Sequence, residues 1–275
     1  MLLEEIKNTD CAFFDSHAHY YDERFNGEEN PYGADALVSL LFERGLLGAI
    51  NVSSSYPAAL KVVEQAKRFE KMYAAVGVHP EDLISDGMSY IEQIEGIREL
   101  IKSRNENKIV AIGEIGLDYY WRQDNKAEQK DCFERQLLLA EELSLPVIIH
   151  DREAHGDCFD TVLRHPNVKG VFHSYSGSAE MAMELIKRGW YLSFSGVVSF
   201  KNAAKIKTVA ACVPDDRILI ETDAPYLAPH PYRGKINHSG RLFYTASALA
   251  EERGVDVRTI SDITYRNARE LFNID

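Results

Sequence analysis

Short apolar runs alternate with longer amphipathic stretches along almost the whole chain. The apolar runs cover residues 11–16, 47–52, 72–78, 109–113, 146–149, 170–172, 190–194 and 217–221. Each has the length of a strand. Several lack the polar alternation of a strand with one wet face, as expected for parallel strands buried on both faces. Between them, residues 34–44, 57–70, 89–104, 126–143, 179–188 and 201–212 carry apolar side chains three and four apart, the spacing of a helix with one buried face. Residues 155–165 predict a shorter helix. Gly45 and Gly189 stand where C-terminal caps belong. Ser178 is placed as an N-cap, with Glu180 in the first turn where the helix dipole favours an acid.

Eight strand–helix alternations in 275 residues fit an α/β fold of the closed (β/α)8 TIM-barrel type, for which about 250 residues is typical. An open doubly wound sheet is the alternative, but no GxGxxG follows an early strand. The chain has no internal repeat, low-complexity tract or linker-like stretch, so one domain over residues 1–275 is expected.

In a barrel, function collects at the C-terminal ends of the strands. The ionisable residues follow that rule. The first strand ends Asp15-Ser16-His17-Ala18-His19, and period-two alternation puts His17 and His19 on one face. The fourth runs into Gly113-Glu114-Ile115-Gly116-Leu117-Asp118, the fifth ends at His150, the sixth at His173, and the eighth passes through Glu221-Thr222-Asp223. Any one of these alone is explained by an ordinary buried histidine or a capping carboxylate. Together, four imidazoles and two carboxylates at strand ends point to metal. Nitrogen and carboxylate ligands suit Zn, Mn, Fe, Ni or Mg to differing degrees. Six ligands exceed one four-coordinate zinc and suit two ions sharing a carboxylate and a water, an arrangement for hydrolysis.

The six-residue set and its flanks resemble the TatD family of metal-dependent deoxyribonucleases, within the amidohydrolase-like hydrolases. The resemblance rests on Asp15-Ser16-His17-Ala18-His19, Val76-Gly77-Val78-His79-Pro80, Gly113-Glu114-Ile115-Gly116-Leu117-Asp118-Tyr119-Tyr120, His150, Phe172-His173-Ser174-Tyr175-Ser176-Gly177 and Glu221-Thr222-Asp223-Ala224-Pro225-Tyr226-Leu227. It implies two divalent ions: one on His17, His19 and Asp223, one on His150 and His173, with Glu114 bridging. It implies Asp223 as proton acceptor for the attacking water, and DNA, at ends or in single strands, as substrate. The chain departs from the family's Pro-Tyr-Arg-Gly-Lys-Arg-Asn-x-Pro run at Ile236 and Ser239, which bears on substrate preference.

Composition bounds the partners. Hydrophobic content of 45% and charged content of 27% are those of an ordinary soluble protein. No apolar run approaches a membrane span, and residues 1–14 lack the pattern of a signal peptide. Four separate cysteines, Cys11, Cys132, Cys158 and Cys212, fit a reduced cytoplasmic protein. No obligate protein partner is indicated. The net charge of −12 argues against a broad basic surface for duplex DNA. It is unevenly spread: residues 1–184 are net −15, while residues 185–250 are net +5.

Candidate substrate donors are His79, Arg152, Arg233 and Lys235, and Tyr175, Tyr226 and Tyr232 could stack on bases. Their plain alternatives are a loop histidine, an Arg152 ion pair with Glu153 or Asp157, and tyrosines used for packing. Three functions follow: a metal-dependent DNase, the same metal site acting on another phosphoester, ester or amide, and a non-catalytic barrel used for binding. Retention of all six ligands speaks against the third.

Overall fold

The computed structural model describes residues 12–28 and 30–274. Cys11 and residues 1–11 of the segment considered for a signal peptide lie outside the described residues. Ten strands and nine α-helices occur among the described residues. Eight strands form one parallel sheet, in the order β1 (Phe14–Ala18), β2 (Gly48–Val52), β3 (Met72–Val76), β6 (Ile109–Asp118), β7 (Val147–Arg152), β8 (Gly170–Phe172), β9 (Tyr191–Phe194) and β10 (Ile218–Ile220). The other two, β4 (Ile84–Ser85) and β5 (Met88–Ser89), make a small antiparallel hairpin.

The sheet closes between β1 and the chain just beyond β10. Ala18 pairs in parallel with Ala224, the Asp223 amide donates to the His17 carbonyl at 2.9 Å, and the His19 amide donates to the Ala224 carbonyl at 2.7 Å. The expected (β/α)8 barrel is therefore what the chain forms, rather than an open doubly wound sheet.

The helices follow the amphipathic stretches: α1 (Gly33–Glu43), α2 (Tyr56–Arg68), α3 (Tyr90–Lys102), α4 (Lys126–Leu143), α5 (His155–Leu163), α6 (Ala179–Lys187) and α7 (Ala204–Cys212). Caps set their ends. The Ser178 side chain accepts from the Met181 amide, and Ser89 and Glu92 form a reciprocal capping box on α3. Two further helices, α8 (Leu242–Arg253) and α9 (Val257–Phe272), complete the chain.

Burial divides into two apolar clusters. The larger lies between strands and helices and includes Ala49, Val76, Ile112, Ile149 and Ile220. The smaller takes alternate strand residues, among them Ile50, Ala75, Ala111, Ile148 and Leu219, and fills the barrel interior. Phe272 and Ile274, at the end of α9, join that cluster beside Phe14 and stopper the end opposite the site. Asn267 fastens α9 by donating to the Asp215 and Ile218 carbonyls. With both clusters closed by side chains, the strand C-terminal ends are left to polar groups.

The strand β6 runs five residues past its expected end at Gly113, and its register against β7 shifts between Ile112 and Ile115. Glycine makes the extension possible. Gly116 has φ of 143°, and a Cβ there would overlap the His150 carbonyl oxygen. The continuation carries Asp118 alongside His150.

Candidate metal centre

Glu114, buried at 4% exposure, is the middle of the site. Its two oxygens face different partners. Oε2 lies 3.3 Å from His17 Nε2 and 3.6 Å from His19 Nε2. Oε1 lies 2.7 Å from His150 Nδ1, 2.8 Å from His173 Nε2 and 3.7 Å from His79 Nε2. Asp223 Oδ1 closes the first group, 3.3 Å from His19 Nε2 and 3.6 Å from His17 Nε2. The six ligands proposed from sequence thus meet at one place, together with His79.

The outward nitrogens reveal which atoms are available inside. His19 Nδ1 donates to the Val52 carbonyl at 2.7 Å, His150 Nε2 to Asp118 Oδ2 at 3.0 Å, and His173 Nδ1 to Glu221 Oε1 at 3.2 Å. A proton fixed on each outer nitrogen leaves the inner nitrogen of a neutral ring with its lone pair directed at Glu114. That orientation by an outer acceptor is the usual support of a metal-bound imidazole. The inner atoms are crowded: His17 Nε2 and His19 Nε2 are 3.0 Å apart, and His150 Nδ1 and His173 Nε2 3.3 Å. Converging lone pairs and carboxylate oxygens at such distances repel unless a cation sits among them. The donor set therefore fits divalent metal, and its nitrogen-rich character suits a transition ion better than Mg.

Protons take that part in the chain alone. Burial disfavours a charged His150, yet Asp118 and Glu114 outweigh it and push its pKa up to about 9. Burial likewise opposes charge on His173, but Glu114 and Glu221 raise it well above the usual imidazole range. Glu114 is held well below the carboxylate range despite its burial, by His173, His17 and His79. Burial and the neighbouring His150 lower His79 to about 3, so it is neutral. The Glu81 amide donates to His79 Nδ1, which places its ring proton on Nε2, toward Glu114.

The centre opens into a cavity of about 410 Å³. Its lining includes His79, Arg152 and Tyr226 from the candidate substrate contacts, and Trp121, which sequence reasoning did not single out. Arg152 makes neither alternative ion pair: its guanidinium lies over the rings of Tyr120 and Trp121, and Asp157 pairs with Lys130. Tyr226 is partly exposed, donates to Asp22 and carries Arg24 over one face.

Other candidates lie elsewhere. Tyr175 is buried at 3% exposure and its hydroxyl donates to the Ser178 carbonyl, so packing fixes its ring. Arg233 and Lys235 do not line this cavity, and the Arg233 guanidinium sits over Phe200. Tyr232 is tied to Tyr244 and stacked under Arg241. Nor do the departures at Ile236 and Ser239 reach the mouth. Ile236 packs against the larger apolar cluster, and Ser239 is buried with its hydroxyl donating to Asp15 at 2.6 Å.

Asp15, Asp118 and Glu221 are the functional residues missed from sequence. Asp15 accepts from the Thr222 hydroxyl at 2.6 Å and its amide at 3.0 Å, tying the strand of His17 and His19 to the segment bearing Asp223. Burial raises Asp15 to about 6, against the hydrogen bonds from Ser239 and Thr222. The available signal was position for two of them: Asp15 and Glu221 each stand two residues before a candidate ligand, whereas Asp118 lay in the unexpected extension of β6.

A parallel barrel with imidazoles and carboxylates gathered at its C-terminal mouth defines the class of metal-dependent hydrolases. The model of the TatD-related DNase family matches residues 14–273, and the chain belongs to that family. It is 40% identical to the uncharacterized metal-dependent hydrolase YabD of Bacillus subtilis over 265 residues, 95% of this chain and 99% of that one. It is 34% identical to the uncharacterized metal-dependent hydrolase YcfH of Escherichia coli K12, covering 95% and 96% of the two chains. The crystal structure of the E. coli TatD homologue YjjV superposes with a TM-score of 0.84 at 28% identity, covering 96% of this chain and 99% of that one. The protein is a metal-dependent hydrolase of the TatD family.

Proposed function

We propose that the protein hydrolyses phosphodiester bonds of DNA, at ends or in single strands, with two divalent ions held on either side of Glu114. The division of Glu114 carries this reading, with one oxygen toward His17 and His19 and the other toward His150 and His173. When bound, such ions supply Lewis acidity toward a phosphoryl oxygen and a water made nucleophilic at neutral pH.

The chain's own residues do the rest. Asp223 lines the cavity beside His19 and accepts the proton of the attacking water. Neutral His79, with its Nε2 proton turned inward, donates to a phosphoryl oxygen. Arg152 offers a cation at the rim, held in place by Tyr120 and Trp121. Trp121 and Tyr226, both partly exposed at the cavity, give unpaired bases a stacking surface. The family's description as DNases points the same way.

The test is digestion by protein loaded separately with Zn, Mn, Fe, Ni and Mg. Substrates are 5′- and 3′-labelled single strands, blunt duplex, RNA, and a panel of amides, esters and lactones. Metal-dependent shortening of single-stranded DNA is expected. Turnover of an amide, ester or lactone with no cleavage of nucleic acid would overturn the substrate assignment and leave the metal-dependent hydrolase.

A further inference from the structure

A second cavity, of about 380 Å³, opens from the metal centre on the side of β8, β9 and β10 and shares His150, His173 and Asp223 with it. Its character differs from the first. The first cavity is lined by the carboxylates of Asp22, Glu81, Asp82 and Asp118. The second has walls of Tyr175, Phe194, Val197, Val198, Ile206 and Leu227. Its inner polar groups are neutral, with the Ser174 and Ser195 hydroxyls hydrogen-bonded at 2.9 Å. The charged side chains in its lining, apart from those of the metal centre, are Asp151, Arg152 and Glu153.

The walls are built in rather than left over. Tyr175 is locked by its bond to Ser178, and Phe194 is buried at the end of β9. Val197 and Val198 stand on a single turn, Gly196–Ser199. A Cβ at Gly196 would overlap the Leu227 carbonyl oxygen, so that turn lies directly against the loop after β10. Leu227 itself has φ of 48° and Ser174 of 40°, left-handed conformations that cost non-glycine residues energy and cluster at ligand sites.

We propose that this cavity is the subsite for the nucleoside bonded to the scissile phosphate, its base and deoxyribose filling the apolar walls while the phosphate lies at Glu114. This rests on the phosphodiester reading above. A volume of this size is that of a small-molecule pocket. Apolar walls with a few hydroxyls match a base and sugar, and they exclude the next phosphate. Outside the metal centre this cavity presents Asp151 and Glu153 beside Arg152, against Asp22, Glu81, Asp82 and Asp118 beside the same arginine in the first, so an anionic strand meets less repulsion here.

The test fills the cavity from opposite walls with Val197→Trp and Ile206→Trp, both half-buried positions on different elements. Two readouts are taken on metal-loaded protein. The first is the kcat/KM ratio for p-nitrophenyl thymidine phosphate over methyl p-nitrophenyl phosphate. The second is calorimetric binding of thymidine 5′- and 3′-monophosphate against inorganic phosphate. The wild type is expected to favour the nucleoside ester and to bind one thymidine monophosphate more tightly than phosphate. Each variant is expected to lose roughly tenfold or more in both preferences, the scale of one stacked base.

Equal binding of thymidine monophosphates and phosphate by the wild type would overturn the subsite, even if DNA is cleaved. So would preferences unchanged in both variants. If neither phosphodiester nor labelled DNA is hydrolysed, the DNase reading fails, and the binding comparison alone still decides the subsite.

Discussion

Asp118→Asn tests whether outer acceptors prepare the imidazoles for metal. Asp118 uses its two oxygens differently. Oδ1 accepts the backbone amides of Tyr120 at 2.9 Å and Trp121 at 2.8 Å, and Oδ2 accepts from His150 Nε2 at 3.0 Å. Asparagine can keep the two amide bonds only with its carbonyl oxygen in the Oδ1 position. Its NH2 then faces His150 Nε2, and the flipped amide would set donor against donor. To accept from that NH2, a neutral His150 must carry its proton on Nδ1, the nitrogen that faces Glu114. The ring is then presented in the wrong tautomer for a ligand. Loss of such an outer partner typically costs 10- to 100-fold in metal affinity, about 1.4–2.7 kcal/mol. The turn at Tyr120 and Trp121 is retained, so the variant should keep a native far-UV circular dichroism, while the chelated variant, whose protonated His150 has lost its Asp118 partner, should melt below the chelated wild type. Metal affinity is read by competition with a chromophoric chelator, and turnover is titrated against free metal. Wild-type affinity, with turnover saturating at the same metal concentration, would refute the tautomer reasoning.

Two further outcomes are expected. Asp223→Asn keeps an oxygen near His19 but cannot accept a proton, so part of the metal content remains while kcat falls about 10²- to 10⁴-fold. Unchanged kcat would remove Asp223 as base. Chelation should abolish hydrolysis and lower the melting temperature through lost ligand linkage, while far-UV circular dichroism stays native, because neither apolar cluster includes a metal ligand. Loss of helical signal on chelation at 25 °C would contradict that.

The barrel was legible because buried parallel strands leave unbroken apolar runs, as in residues 47–52 and 146–149. Helix α4 was legible to the residue, its apolar spacing running from Lys126 to Leu143. Helices α8 and α9 were not among the expected elements. In α8 the buried face mixes Thr245 with alanines, which blurs its apolar periodicity; in α9 the helical spacing is present in Val257, Ile260, Ile263, Leu271 and Phe272, although Ser261, Thr264 and Asn267 share the buried face. The extension of β6 was hidden because Gly113 and Gly116 resemble a turn, whereas here they admit the close approach of β7.

The convergence of the candidate ligands was legible because a strand end fixes both the position and the direction of its side chain. Loop residues have no such constraint. His79, just past the end of β3, and Arg152, the last residue of β7, line the centre, whereas Arg233 and Lys235, far along the loop after β10, line neither cavity. Ser239 sits in that same segment and turns inward to Asp15, a direction that only the folded chain decides.

Elemental analysis of the wild type and Glu114→Ala, paired with digestion of end-labelled single-stranded DNA, tests the bridged metal centre most directly. The wild type is expected to hold two ions per chain and to shorten the strand. The variant is expected to hold at most one ion tightly and to lose turnover. Two tightly held ions and near-wild-type cleavage in Glu114→Ala would contradict the bridging role on which the proposed mechanism stands.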